Sequence, residues 1–101
     1  MRASLSSIML YAKDMQRTAA FYQQHFGFSG SGDVVEGLIE LTANDGGCNL
    51  LIHQAAKSLK FGQATVKLMF SVQDVAAFKV LSAAQGLHFG STHQANGYSF
   101  A

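Results

Sequence analysis

The feature that most constrains how this chain can fold is an internal repeat at an offset of 60 residues. Each copy has an alternating, strand-like segment that leads to an Asp, followed by an amphipathic segment that stops at a Gly. The corresponding pairs are Leu10 and Phe70, Ala12 and Val72, Asp14 and Asp74, Gly27 and Gly86 after a one-residue slip, and Gly37 and Gly97. Two copies without a third indicate a duplicated domain rather than a solenoid. Chance similarity between two β-α pieces is the alternative, and the matched caps and stops argue against it.

The repeat predicts an α+β fold. Asp suits a helix N-cap, Gly ends a helix, and alternating polarity indicates a strand. The predicted elements of the first copy are a strand at 5–12, a helix between Asp14 and Gly27, a strand at 34–42, a hairpin at 44–47 and a strand at 48–53; those of the second are a strand at 66–72 and a helix between Asp74 and Gly86. We therefore predict two tandem β-α-β-β-β modules in one domain over residues 1–101, with module one at about 1–56 and module two at about 64–101. By the repeat, the last strand of the second module is absent from the given sequence.

Charge, hydropathy and cysteine usage indicate which binding partners are excluded and in which cell compartment the protein works. The seven Lys and Arg residues are scattered among six acidic ones, whereas binding to nucleic-acid phosphates needs clustered cations. No apolar run reaches the roughly 18 to 20 residues of a membrane span. The lone Cys48 cannot form an intramolecular disulfide, which favours a reducing compartment. We expect a cytoplasmic protein that binds neither nucleic acid nor membrane.

Two stretches resemble a known family. The segment from Ile8 to Asp14, followed by Phe21-Tyr22 and Phe26-Gly27-Phe28, is similar to the opening signature of the vicinal oxygen chelate family, which includes glyoxalase I, bleomycin-resistance proteins and extradiol dioxygenases. Met69 to Asp74 and the helix that ends at Gly86 resemble the opening of that family's second module. The resemblance covers nearly the whole chain. It implies a concave sheet that holds a small molecule, and a homodimer assembled through paired sheets.

The resemblance also implies where metal ligands would lie. Family members that use a metal place His, Gln or Glu on the concave faces of four strands. The first such position falls on Ser7, the repeat assigns its equivalent to Lys67, and the fourth-strand position falls near Asn49 or Leu51. A serine hydroxyl is a weak neutral ligand, and a Lys ammonium has no lone pair to give. We therefore expect no metal, no other cofactor and no catalytic residue within the given sequence, and a last ligand position beyond Ala101.

The concave face predicts a small-ligand site with an apolar lining and a few polar anchors. The predicted ligand-binding residues are Ser7, Met9, Tyr11, Asn49, Leu51, His53, Lys67, Met69 and Ser71. A lysine in such a cup favours an anionic ligand; the alternative is that Lys67 pairs with Glu36 or Glu40, or extends to water. Among the histidines, His53 is the best candidate for a ligand or an acid/base group, whereas His25 is expected at the surface, interacting with the helix dipole.

Three functions follow from these residues. The first is a metal-free protein of this superfamily that binds a small, mainly apolar or anionic molecule. The second is a metal-dependent lyase, isomerase or dioxygenase whose ligands lie partly beyond Ala101. The third is an interaction or regulatory domain of ferredoxin-like topology, which a β-α-β-β repeat can imitate. The missing ligands at Ser7 and Lys67 favour the first.

Overall fold

The computed structural model describes residues 1–62 and 66–101, and the chain divides into two compact units. Unit 1 is Met1–Lys60 and unit 2 is Phe61–Ala101. The elements of unit 1 are β1 (Ser7–Ala12), α1 (Met15–Phe26), β2 (Leu38–Leu41) and β3 (Asn49–Gln54), and those of unit 2 are α2 (Val75–Ala84), β4 (His93–Ala95) and β5 (Tyr98–Phe100). The α+β class is as predicted. The predicted start of module two, at about residue 64, lies outside the described residues.

Unit 1 is a three-stranded sheet with one helix against it. The strand order is β1-β3-β2, in which β3 runs parallel to β1 and antiparallel to β2. Helix α1 packs against all three strands. The buried apolar residues of this unit are Ala12, Met15, Ala19, Ile39, Leu41, Leu50, Ile52 and Ala55. Because side chains alternate along a strand, burial of Ile39, Leu50 and Ile52 under α1 turns their neighbours to the opposite face of the sheet.

Helix α1 begins and ends where the sequence predicts. The Asp14 carboxylate accepts a hydrogen bond from the backbone N–H of Arg17 at 3.1 Å, which satisfies one of the free donors of the first turn. At the other end, Gly27 adopts a left-handed conformation with φ 72°, and its N–H donates to the carbonyl of Tyr22. This C-cap turns the chain out of the helix and toward the loop before β2.

The predicted single strand at 34–42 is wrong, because a tight turn interrupts it. Val35 and Leu38 exchange backbone hydrogen bonds of 2.8 and 3.1 Å, with Glu36 and Gly37 between them. Both central residues have positive φ, 51° and 82°, as a two-residue hairpin of the primed type requires. Regular pairing of β2 with β3 therefore begins only at Leu38.

Unit 2 repeats several of these local features. Asp74 caps α2 by accepting a hydrogen bond from the N–H of Ala77 at 3.0 Å. β4 and β5 pair antiparallel, with Ala95 opposite Tyr98 and a two-residue connection that includes Gly97. Gly97 has φ 81°, close to the 82° of Gly37 one repeat earlier. The two glycines that the repeat pairs thus lie in turns of similar conformation.

The predicted strand at 66–72 forms no ladder with any residue in the described part of the chain. In unit 1 the equivalent strand, β1, is held by β3. A strand forms only where its backbone groups find a partner strand, and none of the described elements provides one here.

Candidate functional site

The candidate site is the face of the unit 1 sheet opposite α1, which we call the open face. Register places six predicted site residues on it in three cross-strand pairs, Ser7 with Asn49, Met9 with Leu51, and Tyr11 with His53. Met9 and Tyr11 are 41% and 54% exposed, and their partners Leu51 and His53 are half-buried. The structure therefore brings these six side chains together, as the alternation along both strands predicts.

Strand β2 adds two residues to the open face that the sequence analysis did not assign to the site. Leu38 lies opposite His53, and Glu40 lies opposite Leu51. Their neighbours Ile39 and Leu41 are buried under α1. The alternation of apolar and charged residues from Ile39 to Leu41 indicates this face, whereas Glu40 was expected only as a partner for Lys67.

The open face has an apolar centre and polar ends. Met9 and Leu51 form the central row, with the Glu40 carboxylate beside Leu51 on the third strand. Tyr11 and His53 form the row at one end, and Ser7 and Asn49 the row at the other. Small-molecule sites in proteins combine such an apolar floor with a few placed polar groups.

His53 is held in one orientation by its neighbours. Its Nδ1 lies 2.8 Å from the carbonyl oxygen of Gln54, and its ring centroid lies 5.3 Å from that of Tyr11 at an interplanar angle of 55°. The Gln54 side chain donates to the carbonyls of Ala12 and Lys13 at 3.2 and 2.9 Å, which fastens the end of β3 to the end of β1. The imidazole thus rests on a rigid part of the sheet.

The Asn49 side chain makes a hydrogen bond that stabilises the fold. Its Oδ1 accepts a hydrogen bond of 3.0 Å from the backbone N–H of Ala43, in the loop between β2 and β3. That loop is also anchored by Asn44, which donates to the Gly27 carbonyl and accepts from the Ser29 hydroxyl at 2.8 Å. The Asn49 amide can therefore offer a ligand its two N–H donors and the second lone pair of this oxygen.

The three predicted site residues of unit 2 lie in the segment 66–72, which is not a strand. Lys67, Met69 and Ser71 are exposed, Met69 by 84%. Their predicted place beside the open face stays a prediction, as do the proposed ion pairs of Lys67 with Glu36 or Glu40.

The donors of the open face do not fit a resident metal ion. Within residues 1–62 and 66–101, no three His, Cys, Asp or Glu side chains come together as a cluster that could hold one. On the open face the only side chains of these types are His53 and Glu40, in a sheet whose remaining polar groups there are neutral. Catalytic sites for zinc and similar ions commonly use three protein ligands.

The expectation that His25 lies at the surface is wrong. The residue is half-buried, and its ring centroid lies 4.9 Å from that of Phe21. Its Nδ1 is buried and has no hydrogen-bond partner. One helical turn earlier, burial raises the pKa of Tyr22 above its ordinary value of 10.0. Both residues belong to the aromatic packing of α1 and lie on the side of the sheet away from the open face.

The α+β architecture with one helix-covered face and one open face is that of a glyoxalase-like fold, to which solved structures are similar. The sequence matches the family model of the Glyoxalase/Bleomycin resistance protein/Dioxygenase superfamily over residues 4–99, and the chain belongs to that superfamily. No curated protein gives a significant sequence match. Neither helix in the described part of the chain has the length and hydropathy needed to cross a membrane.

Solved structures of similar fold include a lyase and two proteins from mobile metagenomes. A lactoylglutathione lyase from Agrobacterium tumefaciens has a TM-score of 0.67 and 20% identity, over 97% of this chain and 82% of that one. A protein from the mobile metagenome of V. Pseudocholerae has a TM-score of 0.63 and 19% identity, over 98% and 82%. An integron cassette protein from the mobile metagenome of V. Cholerae has a TM-score of 0.62 and 19% identity, over 98% and 83%. These likenesses establish the fold.

Proposed function

We propose that this protein binds a small, mainly apolar molecule on its open face without a metal ion. The observation that supports this most directly is the register of β1 and β3, which sets the apolar pair Met9 and Leu51 between two polar pairs. An apolar centre provides affinity through burial of ligand surface, at about 25 cal/mol per Å². The polar pairs at the ends orient the ligand through hydrogen bonds.

The donor set supports binding rather than metal-dependent catalysis. The neighbour from Agrobacterium tumefaciens is a lyase, but its 20% identity bears on the fold and not on the reaction. The resemblance implies metal ligands at Ser7, at Lys67 and near Asn49 or Leu51, and none of these side chains is a carboxylate or an imidazole. An anionic ligand is the alternative, and it depends on Lys67, whose place beside the open face is a prediction.

A fluorescence titration tests the proposal. The probe is N-phenyl-1-naphthylamine, a neutral apolar fluorophore, and the variant is Leu51→Lys, which places a charge in the centre of the open face. We expect saturable binding to the wild type and at least tenfold weaker binding to the variant, because a charge beside an apolar ligand is costly. Val80→Lys is the matched control, since Val80 is an exposed apolar residue of α2.

Two outcomes would overturn the proposal. One is the absence of saturable binding to the wild type, and the other is equal weakening in Leu51→Lys and Val80→Lys. Circular dichroism of both variants separates loss of binding from loss of fold. Near-stoichiometric metal in the purified protein, measured by elemental mass spectrometry, would contradict the metal-independent part and support the enzyme alternative.

We also propose that the protein works in the cytoplasm as a homodimer. The single cysteine, Cys48, supports a reducing compartment. Two observations support the dimer. The family resemblance implies it, and closed two-fold assembly is the commonest oligomeric form. Light scattering after size-exclusion chromatography tests the oligomeric state, and a monomer at 10.8 kDa over the micromolar range would contradict it.

A further inference from the structure

The hydrogen bond between His53 and Gln54 determines which ring nitrogen of His53 holds the proton. A backbone carbonyl oxygen accepts hydrogen bonds and cannot donate one. The 2.8 Å contact between Nδ1 and the Gln54 oxygen therefore requires a proton on Nδ1. In the neutral imidazole the proton is then absent from Nε2, which is left with a lone pair.

Nε2 provides a hydrogen-bond acceptor at the aromatic end of the open face. It makes no hydrogen bond with any residue of the two described ranges. Tyr11 and Leu38 lie on either side of His53 on the neighbouring strands. Tyr11 stays 54% exposed, so its ring offers a flat apolar surface beside the acceptor. A lone pair next to an aromatic surface matches a planar ligand that carries a hydrogen-bond donor at its edge.

We propose that His53 is the specificity determinant of the open face, and that it selects neutral, planar ligands with an O–H or N–H donor. This proposal rests on the proposed binding function and adds the ligand class. The donor bonds to Nε2 while the planar body lies against Tyr11. A ligand whose donor is capped by a methyl group leaves Nε2 without a partner at a site that the ligand itself shields from water, and that loss is the source of discrimination.

A matched pair of probes tests the selection. 2-Naphthol has the donor, and 2-methoxynaphthalene has the same ring system with the donor methylated. We expect the wild type to bind 2-naphthol about tenfold more tightly, which corresponds to one hydrogen bond of about 1.4 kcal/mol. His53→Phe keeps an aromatic ring but removes the acceptor, and should lose the preference through weaker binding of 2-naphthol. His93→Phe is the control, because His93 is an exposed histidine of β4.

The outcomes separate this inference from the proposed function. Equal affinity of the wild type for the two naphthalenes would overturn the role of His53 while leaving the open face as a binding site. A preference for 2-naphthol that survives in His53→Phe would also overturn it. If neither naphthalene binds the wild type, the inference fails, and the titration with N-phenyl-1-naphthylamine decides whether the proposed function fails with it. Loss of preference in His53→Phe with its retention in His93→Phe supports the inference.

Discussion

Gly37 and Gly97, one repeat apart, have nearly the same left-handed backbone conformation, with φ of 82° and 81°. Each lies in a two-residue connection, the first between Val35 and Leu38 and the second between Ala95 and Tyr98. The positions that the predicted repeat pairs therefore share a turn conformation as well as strand and helix patterns. A positive φ suits Gly because it has no Cβ.

Replacement of either glycine by Ala should destabilise the protein. A Cβ at Gly37 or Gly97 would meet no atom within 4 Å, so the cost is conformational rather than steric. We expect a loss of about 1 to 2 kcal/mol in the free energy of unfolding for Gly37→Ala. Urea denaturation measures it. Gly90→Ala is the control, because Gly90 also has open space and lacks a left-handed φ; an equal loss there would contradict the explanation.

Gly30→Ala should destabilise unit 1 for a different reason. A Cβ at Gly30 would lie 2.8 Å from the backbone oxygen of Glu40, and that oxygen is fixed in β2. Because the backbone cannot give way cheaply, the substitution must displace the loop or the strand, at a cost of about 1 to 3 kcal/mol. Thermal unfolding monitored by circular dichroism tests this. A melting temperature equal to that of Gly90→Ala would show that the loop adapts.

The two faces of β3 should respond differently to truncation. Ile52 is 0% exposed beneath α1, and Ile52→Ala should lower the free energy of unfolding by about 2 to 5 kcal/mol. Leu51 is half-buried on the open face, and Leu51→Ala should cost less stability but weaken binding of N-phenyl-1-naphthylamine. Denaturation and fluorescence titration of both variants check the pair. Equal destabilisation by the two truncations would contradict the assignment of faces.

Alkaline pH should weaken the fold through Tyr22. Burial raises the pKa of its phenol, so the folded state keeps this proton at a pH where the unfolded chain has released it. The unfolded state then binds fewer protons, and the free energy of unfolding falls as pH rises above about 10. Urea denaturation between pH 8 and pH 11 measures the fall, and Tyr22→Phe should reduce it. The exposed Tyr98 provides the control, since Tyr98→Phe should leave the fall in place.

Nitrogen-15 NMR should find the His53 imidazole with its proton on Nδ1. The two tautomers have distinct ring-nitrogen chemical shifts. The contact with the Gln54 carbonyl favours the tautomer with the proton on Nδ1. Addition of 2-naphthol should shift the Nε2 resonance more than the Nδ1 resonance. A spectrum with the proton on Nε2 would remove the basis for the proposed ligand class. His53→Phe assigns the signal.

Local rules were sufficient to predict the helices and the parity of two strands. Asp14 and Asp74 cap helices because their carboxylates reach a backbone N–H three residues later. The alternation of apolar residues along β1 and β3 was sufficient to place Tyr11 and His53 on one face, because successive side chains of a strand point to opposite faces of the sheet.

The turn before β2, the burial of His25 and the fate of the segment 66–72 could not be predicted, because each depends on contacts with residues distant in the sequence or on an uncommon backbone conformation. Glu36 has a positive φ of 51°, which is uncommon for a residue with a Cβ, so the turn before β2 left little local signal. His25 is half-buried by aromatic packing that its place in the last helical turn did not reveal. The segment 66–72 alternates like β1 but lacks a pairing strand among the described elements, and pairing decides whether such a segment becomes a strand.

The parallel pairing of β1 with β3 has a consequence for how the open face comes into being. Each pair between β1 and β3 joins residues 42 positions apart, as Ser7 with Asn49, whereas the pairs between β2 and β3, such as Glu40 with Leu51, are closer in sequence. The β1–β3 contacts require closure of a long loop, so the face is complete only when the chain from β1 to β3 has come together. A bound ligand would then act on the folding equilibrium of unit 1 as a whole. Protection of the β3 amides from hydrogen exchange should rise with ligand concentration by mass action.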